Sequence, residues 1–308
     1  MIPLTSSQVR GTWGTVMLPI NADDSIDFAR LTESVRTLCA SGVHGIYSNG
    51  TAGEFTTQNE DEFDRVSAIV AAQAEQAGVP FQIGASHTTP QVSLERIRRA
   101  RSLAPGAFQV ILPDWVKVGN DEAIAFLVRL AEVAAPVPLV LYNPPHAKRV
   151  LEATDIARLR SAVPALVGIK VGDGAPSWYA AMREQLPGFS IFVPGHHYAT
   201  GRLSGAHGSY SNIACLSPAG ARRWDDLIGR DVVAALALER RILDFFRAHL
   251  APLLAQGFSG GALDKLLCGI GGWCDLGLRL RWPYRFVDDA TLARLRPIAR
   301  GALPEFFE

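Results

Sequence analysis

Residues 137–170 read VPLVLYNPPHAKRVLEATDIARLRSAVPALVGIK, and this stretch decides the fold. Val137–Leu141 is a short, almost unbroken apolar run that stops at Tyr142-Asn143-Pro144-Pro145. Thr154–Ala162 then carries helix-like spacing, opened by Thr154-Asp155. A second apolar run, Leu166-Val167-Gly168-Ile169, ends on Lys170. Strands of a parallel sheet are covered on both faces, so they read as continuous apolar runs rather than alternating ones. Strand, helix, strand in about 34 residues is therefore a βαβ unit.

The same alternation extends in both directions. Strand-like runs are Gly14–Leu18, Gly45–Tyr47, Phe81–Ile83, Phe108–Leu112, Leu139–Tyr142, Val167–Lys170, Ile191–Val193 and Gly208–Ser211. Helix-like runs between them are Asp27–Ala40, Glu60–Gln76, Gln91–Leu103, Asp121–Ala134, Thr154–Ala162, Ser177–Gln185 and the short His197–Leu203. Asn59 before Glu60-Asp61-Glu62 is an N-cap with acids in the first turn, and Asn120-Asp121-Glu122 and Thr154-Asp155 have the same form. Eight strands in about 210 residues predict an α/β fold, a closed (β/α)₈ TIM barrel. Periodicity alone also admits an open doubly wound sheet, but no strand is followed by G-x-G-x-x-G or a P-loop. From Pro218 the pattern is helical only, with Asp231–Leu254, Gly261–Gly269 and Asp288–Gly301 as an extension of about three helices. The expected division is residues 1–217 as the barrel, and 218–308 as its last helix and the extension, packed as one unit.

The 308 residues are 48% hydrophobic and 19% charged, with 30 basic and 30 acidic side chains. That composition suits a globular enzyme and gives no electrostatic reason to bind nucleic acid or an anionic membrane. Met1–Gly14 has no signal-like apolar stretch, and no run approaches the ~20 residues of a membrane span. Cys39, Cys215, Cys268 and Cys274 form no CxxC or Cys/His spacing, so reduced thiols in the cytoplasm are expected. His196-His197 lacks a third ligand at metal spacing, and no cofactor motif is present, so no metal or cofactor is expected.

Catalytic groups of such barrels sit at the C-terminal ends of the strands. Lys170 and Tyr142 end neighbouring strands and should face one mouth. Only four of the 30 basic residues are lysine, namely Lys117, Lys148, Lys170 and Lys265, and the first, second and fourth need no explanation beyond a composition rich in arginine. Arginine stays protonated, whereas a desolvated lysine can lose its proton and attack a carbonyl. A phenol beside it can shuttle the protons that carbinolamine dehydration requires. A structural ion pair with Asp173 is the alternative for Lys170. After the second strand, Gly50-Thr51-Ala52-Gly53 is a small-residue turn whose N–H groups, with the Thr51 hydroxyl, could hold a carboxylate; an ordinary strand-to-helix turn is the alternative. Glu54 reads as structural.

Gly50-Thr51-Ala52-Gly53-Glu54, Tyr142-Asn143-Pro144-Pro145 and Gly168-Ile169-Lys170 together resemble the signatures of the dihydrodipicolinate synthase / N-acetylneuraminate lyase superfamily. Gly195 and His207-Gly208-Ser209-Tyr210-Ser211 fit the same pattern, and the similarity spans essentially the whole chain. The resemblance implies a metal-free, class I lyase, an aldolase or dehydratase in which Lys170 forms a Schiff base with pyruvate or another 2-oxo acid. It implies Tyr142 as general acid/base, and Thr51 with the Ala52 N–H as the carboxylate site. It further implies a homotetramer or homodimer. Three positions depart from that pattern. Ala52 replaces a second hydroxyl residue, removing one hydrogen bond worth roughly 1.5–3 kcal/mol to a charged group. Asp114-Trp115 replaces a tyrosine pair that relays protons, which indole cannot do. Ala147 stands where synthases carry an arginine for the second substrate's carboxylate, and Lys148 or Arg149 beside it is not equivalent. The expected outer pocket is Asp114, Trp115, His146, Lys148 and Tyr210. An authentic dihydrodipicolinate synthase, a non-catalytic 2-oxo acid sensor on the same barrel, and a metal-dependent barrel lyase are the alternatives.

Overall fold

A computed structural model describes residues 1–308. Eight strands, β1 (Gly11–Thr15), β2 (Gly45–Ser48), β3 (Phe81–Gly84), β4 (Ala107–Val110), β5 (Leu139–Tyr142), β6 (Leu166–Lys170), β7 (Ser190–Pro194) and β8 (Gly208–Tyr210), pair in parallel with their sequence neighbours. β8 pairs back onto β1 and closes the barrel. The open-sheet alternative is thereby removed.

Helices α1 (Phe28–Ala40), α2 (Glu60–Ala77), α3 (Pro90–Ala100), α4 (Asn120–Ala134), α5 (Ala153–Ala162), α6 (Pro176–Gln185) and α7 (Tyr198–Ser204) follow the first seven strands. Asn59 caps α2 as expected, accepting from the Glu62 N–H at 2.9 Å while the Glu62 carboxylate accepts from the Asn59 N–H at 3.0 Å. Two other starts differ from the sequence reading. Asn120 and Thr154 lie inside their helices, and the caps are Gly119 and Glu152, whose N–H groups donate to Glu122 and Asp155 respectively. In both, the acid three residues past the true cap sets the start.

β1 also begins earlier than its apolar run suggests. Gly11-Thr12 is not apolar, but Thr12 pairs with Ser209 and Trp13 with Tyr210. Val16–Leu18 extends past the strand end into the outer core, with the Val16 N–H donating to the Tyr47 carbonyl at 2.9 Å.

Beyond β8 come α8 (Asn212–Leu216), α9 (Pro218–Arg230), α10 (Val232–Phe245), α11 (Ala251–Ala255), α12 (Gly260–Gly271) and α13 (Asp289–Ala302). The expected helix 231–254 is interrupted by a π-helical turn at Phe246–Leu250, just before Pro252. Proline has no N–H to donate and its ring crowds the preceding turn, so the ladder widens there. One apolar cluster of 72 buried residues runs from Val16 to Phe306, joining the outer barrel wall to the extension, and a smaller one that includes Trp13, Tyr47, Val140, Phe192 and Tyr210 fills the barrel. No helix is long and apolar enough to cross a membrane.

Candidate active site

Lys170 reaches the barrel interior because of a register change. Leu139 pairs with Leu166, but Val140 pairs with Gly168, so β6 carries one extra residue at Val167. Side chains alternate along a strand, and a one-residue bulge reverses the alternation beyond it. Leu166 and Ile169 consequently both face the surrounding helices, while Val167 joins the inner cluster. Lys170, paired with Tyr142, then points inward.

The Lys170 amine sits among three tyrosine rings. Nζ lies 4.3 Å from the centroid of Tyr142, 5.3 Å from that of Tyr210 and 5.6 Å from that of Tyr47. It makes no ion pair. Asp173, the alternative partner, instead accepts from the Gly174 N–H at 2.8 Å and the Tyr179 hydroxyl at 3.2 Å. Burial pushes the Lys170 pKa down from 10.5 to about 8, with the negative charge of Asp264 opposing. Burial raises the Tyr142 phenol, and a hydrogen bond with Thr51 opposes that shift.

These groups line a chamber of about 650 Å³ that also receives Ala52, His196, Asn212 and Asp264. Neither Thr51 nor Ala52 spends its N–H within the chain, and both border the chamber. The turn that presents them is held by Gly53 and Glu54 N–H groups donating to the Gly50 and Thr51 carbonyls at 3.0 and 3.1 Å. Asn49 and Glu54 bracket it in left-handed conformations, with φ of 52° each. Gly84 lets it fold over β3, since a Cβ there would lie 2.4 Å from the Asn49 carbonyl oxygen. Gly50 does not line the chamber; a Cβ there would stand 2.9 Å from the Tyr47 ring, so it serves the turn.

Tyr210 flanks the amine with its ring, but its hydroxyl is turned into the barrel and donates to Gln82. Of the remaining expected outer-pocket residues, Asp114, His146 and Lys148 gather around a different pocket. Asp114, His146, Ala147, Lys148 and Arg149 line a second pocket of about 210 Å³ on the far side of Tyr142. His146 and Thr51 border both pockets. Asp114 accepts from the Lys148 N–H at 2.8 Å, and the Lys148 amine donates to the Trp115 carbonyl. Trp115 is 80% exposed and borders neither pocket. Arg149 is committed to Asn120, to the Val118 carbonyl and to Asp155 at 2.9 Å. It therefore does not replace the guanidinium missing at Ala147.

Among the chamber residues that escaped the sequence reading, three carry ionisable groups. Tyr47 lies inside β2, one residue short of its end. Cys215 lies on α8. Asp264 comes from α12, outside the barrel motifs. The available signal was the adjacent pair Asp264-Lys265 within the otherwise apolar run Gly260–Gly271. His196 is neutral: burial and the neighbouring His197 push it down to about 4, and its Nδ1 meets the Asn212 amide at 2.8 Å.

Residues 8–251 match the model of the dihydrodipicolinate synthetase family. A 4-hydroxy-tetrahydrodipicolinate synthase of Acidobacterium capsulatum is 28% identical over 295 residues, 93% of each chain. The same-named protein of Thermomicrobium roseum is 33% identical over 168 residues, 54% of each chain, so the chain spans about half the length of that relative. Among solved structures, a prophage protein of the dihydrodipicolinic acid synthase family from E. coli K12, in complex with pyruvate, superposes with a TM-score of 0.84 at 19% identity, covering 96% of this chain and 98% of the other. The sialic acid aldolase of Ruminococcus gnavus gives 0.84 at 18% identity, covering 97% and 99%. The eight-stranded barrel, the paired Lys170 and Tyr142 and the match over residues 8–251 make the chain a member of the dihydrodipicolinate synthetase family.

Proposed function

We propose that the protein is a class I lyase that binds pyruvate or another 2-oxo acid as a Lys170 imine and makes or breaks a bond beside the imine carbon. The carrying observation is an unpaired amine among three tyrosine rings, brought by burial to about 8. A useful fraction of that amine is neutral near pH 7, whereas a free lysine at ~10.4 is almost wholly charged. Attack on the oxo carbon gives a carbinolamine. Tyr142, with its ring centroid 4.3 Å from Nζ, carries the protons needed to expel water. The unused Thr51 and Ala52 N–H groups take the substrate carboxylate. The protonated imine then accepts the electron pair of the adjacent bond.

Incubation with pyruvate and borohydride should leave a reduced adduct on the peptide containing Lys170. Failure to trap any member of a panel of 2-oxo acids there overturns the reading. Tyr142→Phe removes the proton shuttle but leaves the ring packing. Its trapping rate should fall by about 10²–10⁴-fold, the usual range for a lost general acid/base, with the adduct still on Lys170.

Dihydrodipicolinate synthesis itself is disfavoured by Ala147 and by the commitment of Arg149 to Asn120 and Asp155. Coupled assay with pyruvate and aspartate semialdehyde should give turnover well below that with the better substrates, and efficient turnover would reverse this preference. A 2-oxo acid sensor is disfavoured by the retention of Lys170 and Tyr142 as an in-register pair. Assembly as a homotetramer or homodimer, measurable by sedimentation, would give cover to Trp115 and Val116, which are 80% and 73% exposed.

A further inference from the structure

The chamber holds a carboxylate that the imine chemistry leaves unused. Asp264 lies early in α12, between buried Leu263 and fully buried Lys265. Its carboxylate makes no hydrogen bond or ion pair within the protein. It is the leading charge acting on Lys170, and Lys170 is the leading charge acting on it. No direct ion pair joins the two, which leaves room for substrate atoms between them.

The position of Asp264 is fixed from several sides. Ser259 caps α12 by accepting from the Ala262 N–H at 3.3 Å. Lys265 pairs with Glu54 at 2.6 Å, tying the helix to the carboxylate-binding turn. At the other end, a Cβ on Gly271 would lie 1.7 Å from the Leu216 carbonyl oxygen, so α12 and α8 meet backbone to backbone.

Asp264 also stands at a junction. Together with His196, His197, Asn212 and Gly260 it borders a further cavity of about 440 Å³ beside the imine chamber. The far walls of that cavity are Leu243, Phe246, Leu250, Ala251, Leu254, Leu263 and Leu267, with the largely exposed Arg247, paired to Asp244 at 2.9 Å, as their one charged member. Phe246 and Leu250 are presented by the π-helical turn. A substrate anchored on Lys170, with its carboxylate at the Thr51-Ala52 turn, would pass Asp264 before its distal end met these apolar side chains.

We infer that the substrates are 4-hydroxy-2-oxo acids bearing an apolar aryl or alkyl group, and that Asp264 is the catalytic base for their hydroxyl. The inference rests on the proposed Lys170 imine. In the cleavage direction the Asp264 carboxylate takes the hydroxyl proton, and that C–O bond becomes the carbonyl of a departing aldehyde. The C–C bond breaks, and its electron pair moves into the adjacent carbon–carbon bond as the iminium pair moves onto Nζ, giving a neutral enamine. Asp264, now protonated, returns its proton to the enamine carbon. Water then releases pyruvate and the free amine, so no oxidant or reductant is consumed. Burial pushes the Asp264 carboxyl up to about 7, suited to both taking and returning a proton near neutral pH. An anionic group held close to Asp264 would be repelled by the same carboxylate.

The test uses the wild type, Asp264→Asn and Leu254→Arg, each assayed for borohydride trapping of pyruvate and for aldol addition of pyruvate to benzaldehyde and to glyceraldehyde. Wild type should trap pyruvate and prefer benzaldehyde. Asp264→Asn should still trap pyruvate on Lys170, which shows an intact barrel, but lose about 10²–10⁴-fold in addition to benzaldehyde. Leu254→Arg, altering a half-exposed wall residue, should lower addition to benzaldehyde more than to glyceraldehyde. Addition by Asp264→Asn within about threefold of wild type overturns the role of Asp264. A wild-type preference for glyceraldehyde, or trapping without addition to either aldehyde, overturns the substrate class. Absence of trapping in the wild type removes the imine reading and this inference with it.

Discussion

Lys170→Met should yield no borohydride adduct with any 2-oxo acid and lower turnover by roughly four orders of magnitude or more, because no other group in the chamber can form the imine. The same substitution should stabilise the fold at pH 7. The amine falls from 10.5 to about 8 on burial, so holding it charged in the folded state costs at most roughly 3 kcal/mol. The folded-state value is depressed, so between about 8 and 10.5 the folded protein binds fewer protons than the unfolded chain. Wild-type stability from this group therefore rises with pH across that window, and the penalty is fully present below it. Methionine removes the penalty but leaves Asp264 without its counter-charge, so the net gain at pH 7 should be smaller than the full figure and should shrink towards pH 10. Urea midpoints of both proteins at about pH 7 and 10 measure this difference. A Lys170→Met protein that is less stable at pH 7 would show that the amine is a structural cation. The rate of imine trapping in the wild type should climb with pH up to about 8, as the neutral amine accumulates.

Apart from β1, the strands were legible to within a residue or two because a parallel strand buried on both faces shows as an apolar run. The residue that ends the run, as Tyr142 and Lys170 do, is then placed by the architecture. That Lys170 faces the mouth was expected from its strand-end place, but the cause of its inward direction was not legible. It depends on the extra residue at Val167, and a bulge is defined by the partner strand rather than by the sequence that carries it. Asp264 was hidden for a related reason. Its place in the chamber is set by how α12 packs against α8 and the Gly50–Glu54 turn, and these contacts join residues far apart in the chain. The outer pocket shows the limit of reading by adjacency. Asp114 and Lys148 do meet, yet they face the far side of Tyr142, and Arg149 turns away to Asn120 and Asp155. Lys265 is the clearest correction. It is not merely a remnant of an arginine-rich composition but a side chain with no exposure, paired with Glu54.

Lys265→Met should consequently destabilise the fold more than Lys170→Met, Tyr142→Phe or Asp264→Asn. Lys265 and Glu54 are 0% and 5% exposed at the side chain and approach to 2.6 Å. The second Glu54 oxygen accepts from the Arg281 N–H at 2.9 Å, and the Lys265 amine also donates to the Arg279 carbonyl. Removing one partner of such a pair leaves a buried charge uncompensated, which costs about 3–5 kcal/mol. Replacing both with apolar residues of similar volume avoids the orphaned charge, so Glu54→Leu combined with Lys265→Met should recover much of that loss. The pair also sits between two parts of the chamber. Glu54 closes the turn that carries Thr51 and Ala52, in a left-handed conformation with φ of 52°, and Lys265 directly follows Asp264. The apolar double variant should fold well yet hold both parts less firmly. Its KM for pyruvate should rise even where its urea midpoint is close to wild type. A single Lys265→Met variant that loses less than about 1 kcal/mol would mean that water reaches the pair and that α12 is held by its apolar face alone. That outcome would place the tie between extension and barrel in Leu263, Leu266, Leu267 and Ile270, the buried side chains that α12 contributes to the core.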